Sequence, residues 1–147
     1  MYKRQTSSDY AFTVATDVSG NVFIAGETNG ALDGQTSAGG SDAFVTKYGP
    51  DGTKQWTRQL GTSSSDNEIA YSVATDASGN VFIAGSTFGA LDGQASAGGI
   101  DAFVTKYGPD GTKQWTRQLG TSGTELAWGV AIDASGCLLY TSDAADE

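Results

Sequence analysis

An all-β protein built from repeated four-stranded antiparallel units is the fold class that this sequence predicts, and three observations predict it. Residues 14–61 align with residues 73–120 at an offset of 59, and only five of the 48 pairs differ: Val18/Ala77, Glu27/Ser86, Asn29/Phe88, Thr36/Ala95 and Ser41/Ile100. Within each copy, turn-forming residues punctuate short apolar or alternating runs at the same places. No segment shows helical spacing. A third copy opens with Val130-Ala131-Ile132-Asp133-Ala134-Ser135-Gly136, matching residues 73–79 at an offset of 57. The two missing residues fall in 62–67, which reads as a loop where length changes are tolerated.

The second copy justifies each element in turn. Residues 70–75 alternate Tyr71, Val73 and Thr75 with the small Ser72 and Ala74, a strand with one crowded face. Asp76-Ala77-Ser78-Gly79-Asn80 is a turn, since Asp and Asn bond nearby backbone and Gly accepts positive φ. Val81-Phe82-Ile83-Ala84-Gly85 is apolar on both faces and suits a strand sandwiched between neighbouring sheets. A Gly-rich loop over 88–100 leads to a strand over 102–107, where Phe103, Thr105 and Tyr107 alternate with Ala102, Val104 and Lys106. Gly108-Pro109-Asp110-Gly111 is a tight turn, with Pro fixing the first corner. The last strand, 113–119, sets Trp115, Arg117 and Leu119 against Gln114, Thr116 and Gln118, and that hydrophilic face marks the outer edge of the unit.

A four-stranded antiparallel unit repeated without helices is the pattern of a β-propeller blade. A parallel β-helix is the competing architecture, but the two tight turns at 76–80 and 108–111 force antiparallel pairing. The motifs Asp-Ala-Ser-Gly-Asn-Val-Phe-Ile-Ala-Gly-Ser-Thr at 76–87, Gly-Gly-Ile-Asp-Ala-Phe-Val-Thr-Lys-Tyr at 98–107 and Pro-Asp-Gly-Thr-Lys-Gln-Trp at 109–115 resemble the SBBP repeat, a seven-bladed β-propeller repeat. The resemblance implies the fold and a secreted or cell-surface bacterial protein, and it brings no shared catalytic residues. Since propellers close with about four to eight blades, little more than two copies make a fragment of a ring. The expected architecture is therefore two four-stranded antiparallel blades, over 6–61 and 62–120, plus the first strand of a third over 121–136, with the remaining blades of the same chain as partners.

Both ends depart from the repeat. Tyr2-Lys3-Arg4-Gln5 can be encoded TAT AAG AGA CAG, and Cys137-Leu138-Leu139-Tyr140 can be encoded TGT CTC TTA TAC. The second string is the reverse complement of GTATAAGAGACA, which the first contains once a GTG start codon is supplied. Inverted copies of one element, resembling a transposase adapter used for sequencing libraries, thus account for residues 1–5 and 137–147. On this reading the only Met and the only Cys are foreign, and Leu138-Leu139-Tyr140, in the place of Val81-Phe82-Ile83, is apolar enough to form a chance strand.

Composition excludes several function classes. With no His and one Cys there is no Ser-His-Asp or Cys-His relay, no imidazole or multi-thiolate zinc site and no internal disulfide. A net charge of -9 repels phosphate backbones, so nucleic acid is not an expected partner. No apolar run is long enough for membrane insertion.

The search for chemistry starts from the carboxylates that flank the Gly-rich loop, Asp33 and Asp42 in the first copy and Asp92 and Asp101 in the second. They are the calcium candidates, because carboxylates and glycines that allow sharp winding can surround a hard cation. The preferred reading is that they bond turn amides. Asp76 and Asp110 read as turn caps. A catalytic residue need appear once, whereas residues recurring in every copy serve the fold. The positions that differ between copies, 27/86, 29/88, 36/95 and 41/100, lie in or beside the long loop, where copy-specific recognition is expected. Trp56 and Trp115 with Arg58 and Arg117 offer a sugar-stacking or cation-π platform, against the alternative of packing between units. The expected function is a non-enzymatic structural or binding scaffold, with no catalytic residues and no cofactor, for a protein or glycan ligand not identified by the sequence. The alternatives are a propeller enzyme whose catalytic residues lie elsewhere, and a calcium-stabilised adhesin or glycan-binding propeller.

Overall fold

The computed structural model describes residues 7–136 and 138–144, which form ten strands and no α-helix. The first copy contributes β1 (Asp9–Thr16), β2 (Val22–Thr28), β3 (Gly39–Tyr48) and β4 (Lys54–Leu60). The second contributes β5 (Ser64–Thr75), β6 (Val81–Thr87), β7 (Asp101–Tyr107) and β8 (Lys113–Leu119), with a 3₁₀ turn at Leu91–Gly93 inside the long loop. The third supplies β9 (Glu125–Ile132) and β10 (Leu138–Ala144). Within each copy consecutive strands pair antiparallel in the same register, as in Thr28↔Asp42 and Thr87↔Asp101.

The tight turns close as their residues dictate. Asp76 accepts from the amides of Ser78 (3.0 Å) and Asn80 (2.9 Å) and from the Asn80 side chain (2.7 Å). Asp110 accepts from the Thr112 amide at 3.0 Å and its hydroxyl at 2.9 Å, which holds this carboxyl below its usual range. Among the described residues the last strands are edges, in keeping with their polar faces: β8 ends the sheet and β4 pairs only with β3.

The junction between copies differs from expectation. Residues 64–67, read as loop, are the start of β5, because Gly39 and Ser41 of β3 pair with Ser64 and Asn67 in parallel. This bridge joins β1 to β8 in one mixed eight-stranded sheet that does not close. It recurs one copy later as the parallel bridge Ile100↔Thr124.

Hydrophobic residues meet between copies. One core gathers Phe23, Ala25 and Val45 of the first copy with Val73, Val81, Ile83, Phe103 and Tyr107 of the second. The other gathers Ala84, Ala102 and Val104 with Ala127, flanked by Trp115 and Val130. Odd-numbered positions of β6 and β7 thus face the preceding copy and even-numbered ones the following copy. Every residue of β6 is buried, which is why its sequence is apolar on both faces.

The strand β10 lies on residues read as adapter-derived. Its pairing on β9, from Leu138↔Ile132 onward, reproduces the register of β6 on β5, Val81↔Thr75. Residues 1–5 and Cys137, also assigned to the foreign ends, lie outside the described residues.

Candidate functional site

The leading strand of each copy carries a β-bulge at one position. In β1 the residues on either side of Phe12 pair with consecutive residues of β2; Tyr71 in β5 and Trp128 in β9 are skipped in the same way. A bulge interrupts the two-residue alternation and re-aims a side chain. Opposite the bulges sit Gly26 and Gly85, where the backbones come so close that a Cβ would run into the carbonyl of Tyr10 or Ile69.

All three re-aimed side chains are aromatic, and they touch across copies. Phe12 and Tyr71 have ring centroids 6.2 Å apart, Tyr71 and Trp128 4.5 Å, and Tyr10 stacks on Phe12 at 6.3 Å and 11°. Phe12 is 50% and Trp128 52% exposed, so the row is open to solvent although large aromatics are normally mostly buried. At the ends of the same strands, Thr16 to Val18, Thr75 to Ser78 and Ile132 to Gly136 line a cavity of about 590 Å³. The row therefore offers stacking area, and the cavity four residues further along the same strands offers turn hydroxyls and carboxylates.

This row was missed by the sequence reading, because positions 12, 71 and 128 lie just before the stretch that aligns closely. The signal was available as Ala11-Phe12, Ala70-Tyr71 and Ala127-Trp128, an aromatic at one register with a different identity in each copy.

The residues that sequence singled out are placed elsewhere. Asp42 accepts from the Ala38 amide (2.8 Å) and the Gln59 side chain (2.6 Å), and Asp101 from Ala97 (2.9 Å) and Gln118 (2.7 Å). The turn-amide expectation holds for these two. Their Oδ1 atoms are buried without a hydrogen-bond partner, against Gly61 and Gly120. It does not hold for Asp33 and Asp92, whose left-handed backbone (φ 47° and 49°) aims each carboxylate at the outer strand. Asp33 takes Lys54 (2.5 Å) and Thr57 (2.5 Å), and Asp92 takes Lys113 (2.5 Å) and Thr116 (2.5 Å). The bond from Lys54, with that from Thr57, holds the Asp33 carboxyl below its usual range. These four carboxylates tie the Gly-rich loop to the sheet. Among the described residues no three of His, Cys, Asp or Glu gather as a metal site.

Trp56 belongs to the junction between copies. Its Nε1 donates to the Pro109 carbonyl at 3.0 Å, and its ring meets Phe23 at 6.1 Å and Tyr107 at 6.4 Å. The packing alternative is the one realised there. Of the variable loop positions, Asn29 and Ser41 hydrogen-bond to each other through their side chains. Their counterparts Phe88 and Ile100 are both apolar, so the pair has changed together.

One buried acid gives a pH signature. Burial pushes the Glu68 carboxyl above the ordinary glutamate range; hydrogen bonds from Thr62 and Thr87 pull it down less strongly, and nearby Asp42 adds to the rise. The folded state then holds this proton more tightly than the unfolded state. Stability from this group is fully present below its ordinary value of 4.5 and is lost as pH rises through the folded value. Glu68→Gln keeps an acceptor for the Thr62 amide and is expected to flatten that decline. Urea melts across this range check it; an unchanged slope would refute the assignment.

A chain of four-stranded antiparallel units, each packing its core against the next, is a β-repeat protein. It belongs to the SBBP β-propeller repeat family, whose model matches residues 4–32 and 55–91. Among curated proteins it is similar to the regulatory protein FlaEY of Caulobacter vibrioides, 31% identical over 137 residues. That match takes in 84% of this chain and 14% of the relative's length.

Proposed function

We propose that this chain is a non-enzymatic binding module of a secreted or cell-surface bacterial protein, formed by two four-stranded propeller blades and the start of a third, with a neutral carbohydrate as ligand. The observation that carries the reading is the solvent-open row Tyr10, Phe12, Tyr71 and Trp128. Sugar rings present flat C–H faces that stack on aromatic rings, and hydroxyls that accept and donate to turn groups such as those of Thr16, Thr75 and Ser78. A net charge of -9 disfavours anionic glycans and leaves neutral ones as the matching class.

Titration with soluble neutral oligosaccharides, followed by tryptophan fluorescence, tests this. Saturable quenching is expected, with Trp128→Ala weakening affinity about tenfold or more, the scale of losing one stacking platform. If no neutral oligosaccharide moves the signal, the carbohydrate reading falls. The exposed aromatics Tyr10, Phe12 and Trp128 also suit a protein ligand, which is the second reading; binding of a protein that Trp128→Ala abolishes would favour it.

A further inference from the structure

The aromatic row and the chain's charge lie on the same strands. Residues 7–28, 62–87 and 121–136, which hold β1, β2, β5, β6 and β9 with their turns, carry eight acidic side chains and no basic one. Residues 29–61 and 88–120, which hold β3, β4, β7 and β8 with their loops, carry six of each. The whole excess of negative charge within 7–136 therefore sits on the half that bears Tyr10, Phe12, Tyr71 and Trp128. The ion pairs Asp33–Lys54 and Asp92–Lys113 both fall in the balanced half.

Carboxylates stand at both ends of the row. At one end Asp17 and Asp76 line the turn cavity together with Asp133. At the other, Glu27 pairs directly with Tyr10, and Asp9 precedes it. The turn carboxylates accept from neutral donors, Asp17 from Ser19 and Asn21 and Asp76 from Ser78 and Asn80, which fix the charge in place without neutralising it. Lys47 acts on Asp17 from the balanced half, but its Nζ is held by the Pro109 carbonyl. The row does not owe its openness to the ends of the sequence. Its rings touch from copy to copy, so a further copy would lengthen it. What a neighbouring copy covers is the faces where Phe23 and Ile83, or Ala84 and Ala127, meet.

We propose that the row docks an extended, arginine- and lysine-rich segment of another protein, its cations seated on the rings and paired with the carboxylates at the row's two ends. This rests on the protein-ligand reading of the row and names the partner. Aromatic faces attract cations, Arg foremost, and no basic side chain on these strands repels them. At about 3.3 Å per residue, Asp76 lies about 16 Å along the strand from Tyr71. A single small amine cannot reach both, whereas an extended segment with several charges can.

The experiment titrates a short peptide alternating Arg and Gly into the ¹⁵N-labelled full chain, with counterparts in which Ser or Glu replaces Arg. The indole N–H of Trp128, identified by its loss in Trp128→Phe, is expected to shift saturably with the Arg peptide. Asp17→Asn combined with Asp76→Asn keeps an acceptor for the turn amides and should weaken binding about threefold or more, the scale of two exposed ion pairs. A Ser or Glu peptide that binds at Trp128 as tightly as the Arg peptide would overturn the proposal and leave the protein-ligand reading standing. If none of the three moves Trp128, both fall. Binding that leaves Trp128 in place, or that a folded double variant keeps in full, also overturns the proposal. Should the double variant lose its dispersed spectrum, salt decides with the unaltered chain: affinity for the Arg peptide must fall as salt rises, and an unchanged affinity refutes the pairing.

Discussion

Gly85→Ala is expected to destabilise the fold by about 3 kcal/mol or more, the upper range for forcing atoms into a packed interior. The added Cβ would overlap the Ile69 carbonyl oxygen and stand 2.8 Å from its carbon and 3.0 Å from the Ala70 Cα. Both neighbours are backbone of β5, so no side chain can swing away. Relief requires β5 and β6 to separate at the bulge, and β6 is buried on both faces. Gly26→Ala meets the Tyr10 carbonyl in the same way in the first copy. There β1 is exposed along most of its length and can yield, so a smaller loss is expected. Urea denaturation of the two variants measures the difference. Equal and small losses would show that the bulge does not press the strands together as described.

Trp56→Ala is expected to cost about 3 kcal/mol, within the range for truncating a packed aromatic, and Trp115→Ala clearly less. The two tryptophans sit in identical local sequences, 54–60 and 113–119. Their neighbours within the copy also match, Phe23 at 6.1 Å for one and Phe82 at 6.1 Å for the other. Both flank a core shared with the following copy, but among the described residues Trp56 alone has a hydrogen bond and a ring contact there, to Pro109 and Tyr107. The gap between the two variants therefore reads the contacts of Trp56 with Pro109 and Tyr107. If thermal or urea melts place both at the same loss, the junction contributes nothing through this residue.

Most of the fold was legible because the repeat made each signal appear twice. Turn residues at 76–80 and 108–111, alternation in β7 and β8 and the doubly apolar β6 all fall where their chemistry places them. The start of β5 was not legible. Ser64, Ser65, Asp66 and Asn67 have loop composition, and they extend only because β3 lies alongside to pair with them. The aromatic row escaped for a related reason: period-two reasoning assigned Tyr71 to the face of Val73, and a bulge, which is a relation between two strands, takes it off that face. Asp33 and Asp92 were recognised as loop carboxylates, yet their partners on β4 and β8 lie 21 and 24 residues onward, beyond the reach of local turn logic.

The division of β6 and β7 into odd positions facing backward and even positions facing forward makes every junction a private matter between two adjacent copies. A substitution on one parity is felt by one neighbour only, and a copy set between two others has two seams to match, one on each face. The linked change of Asn29 and Ser41 to Phe88 and Ile100 fits such a system, in which a pair can be rewritten inside one copy while the rest stays in register. The aromatic at each bulge, Phe12, Tyr71 and Trp128, then becomes an alphabet in which successive copies spell out one face of the protein.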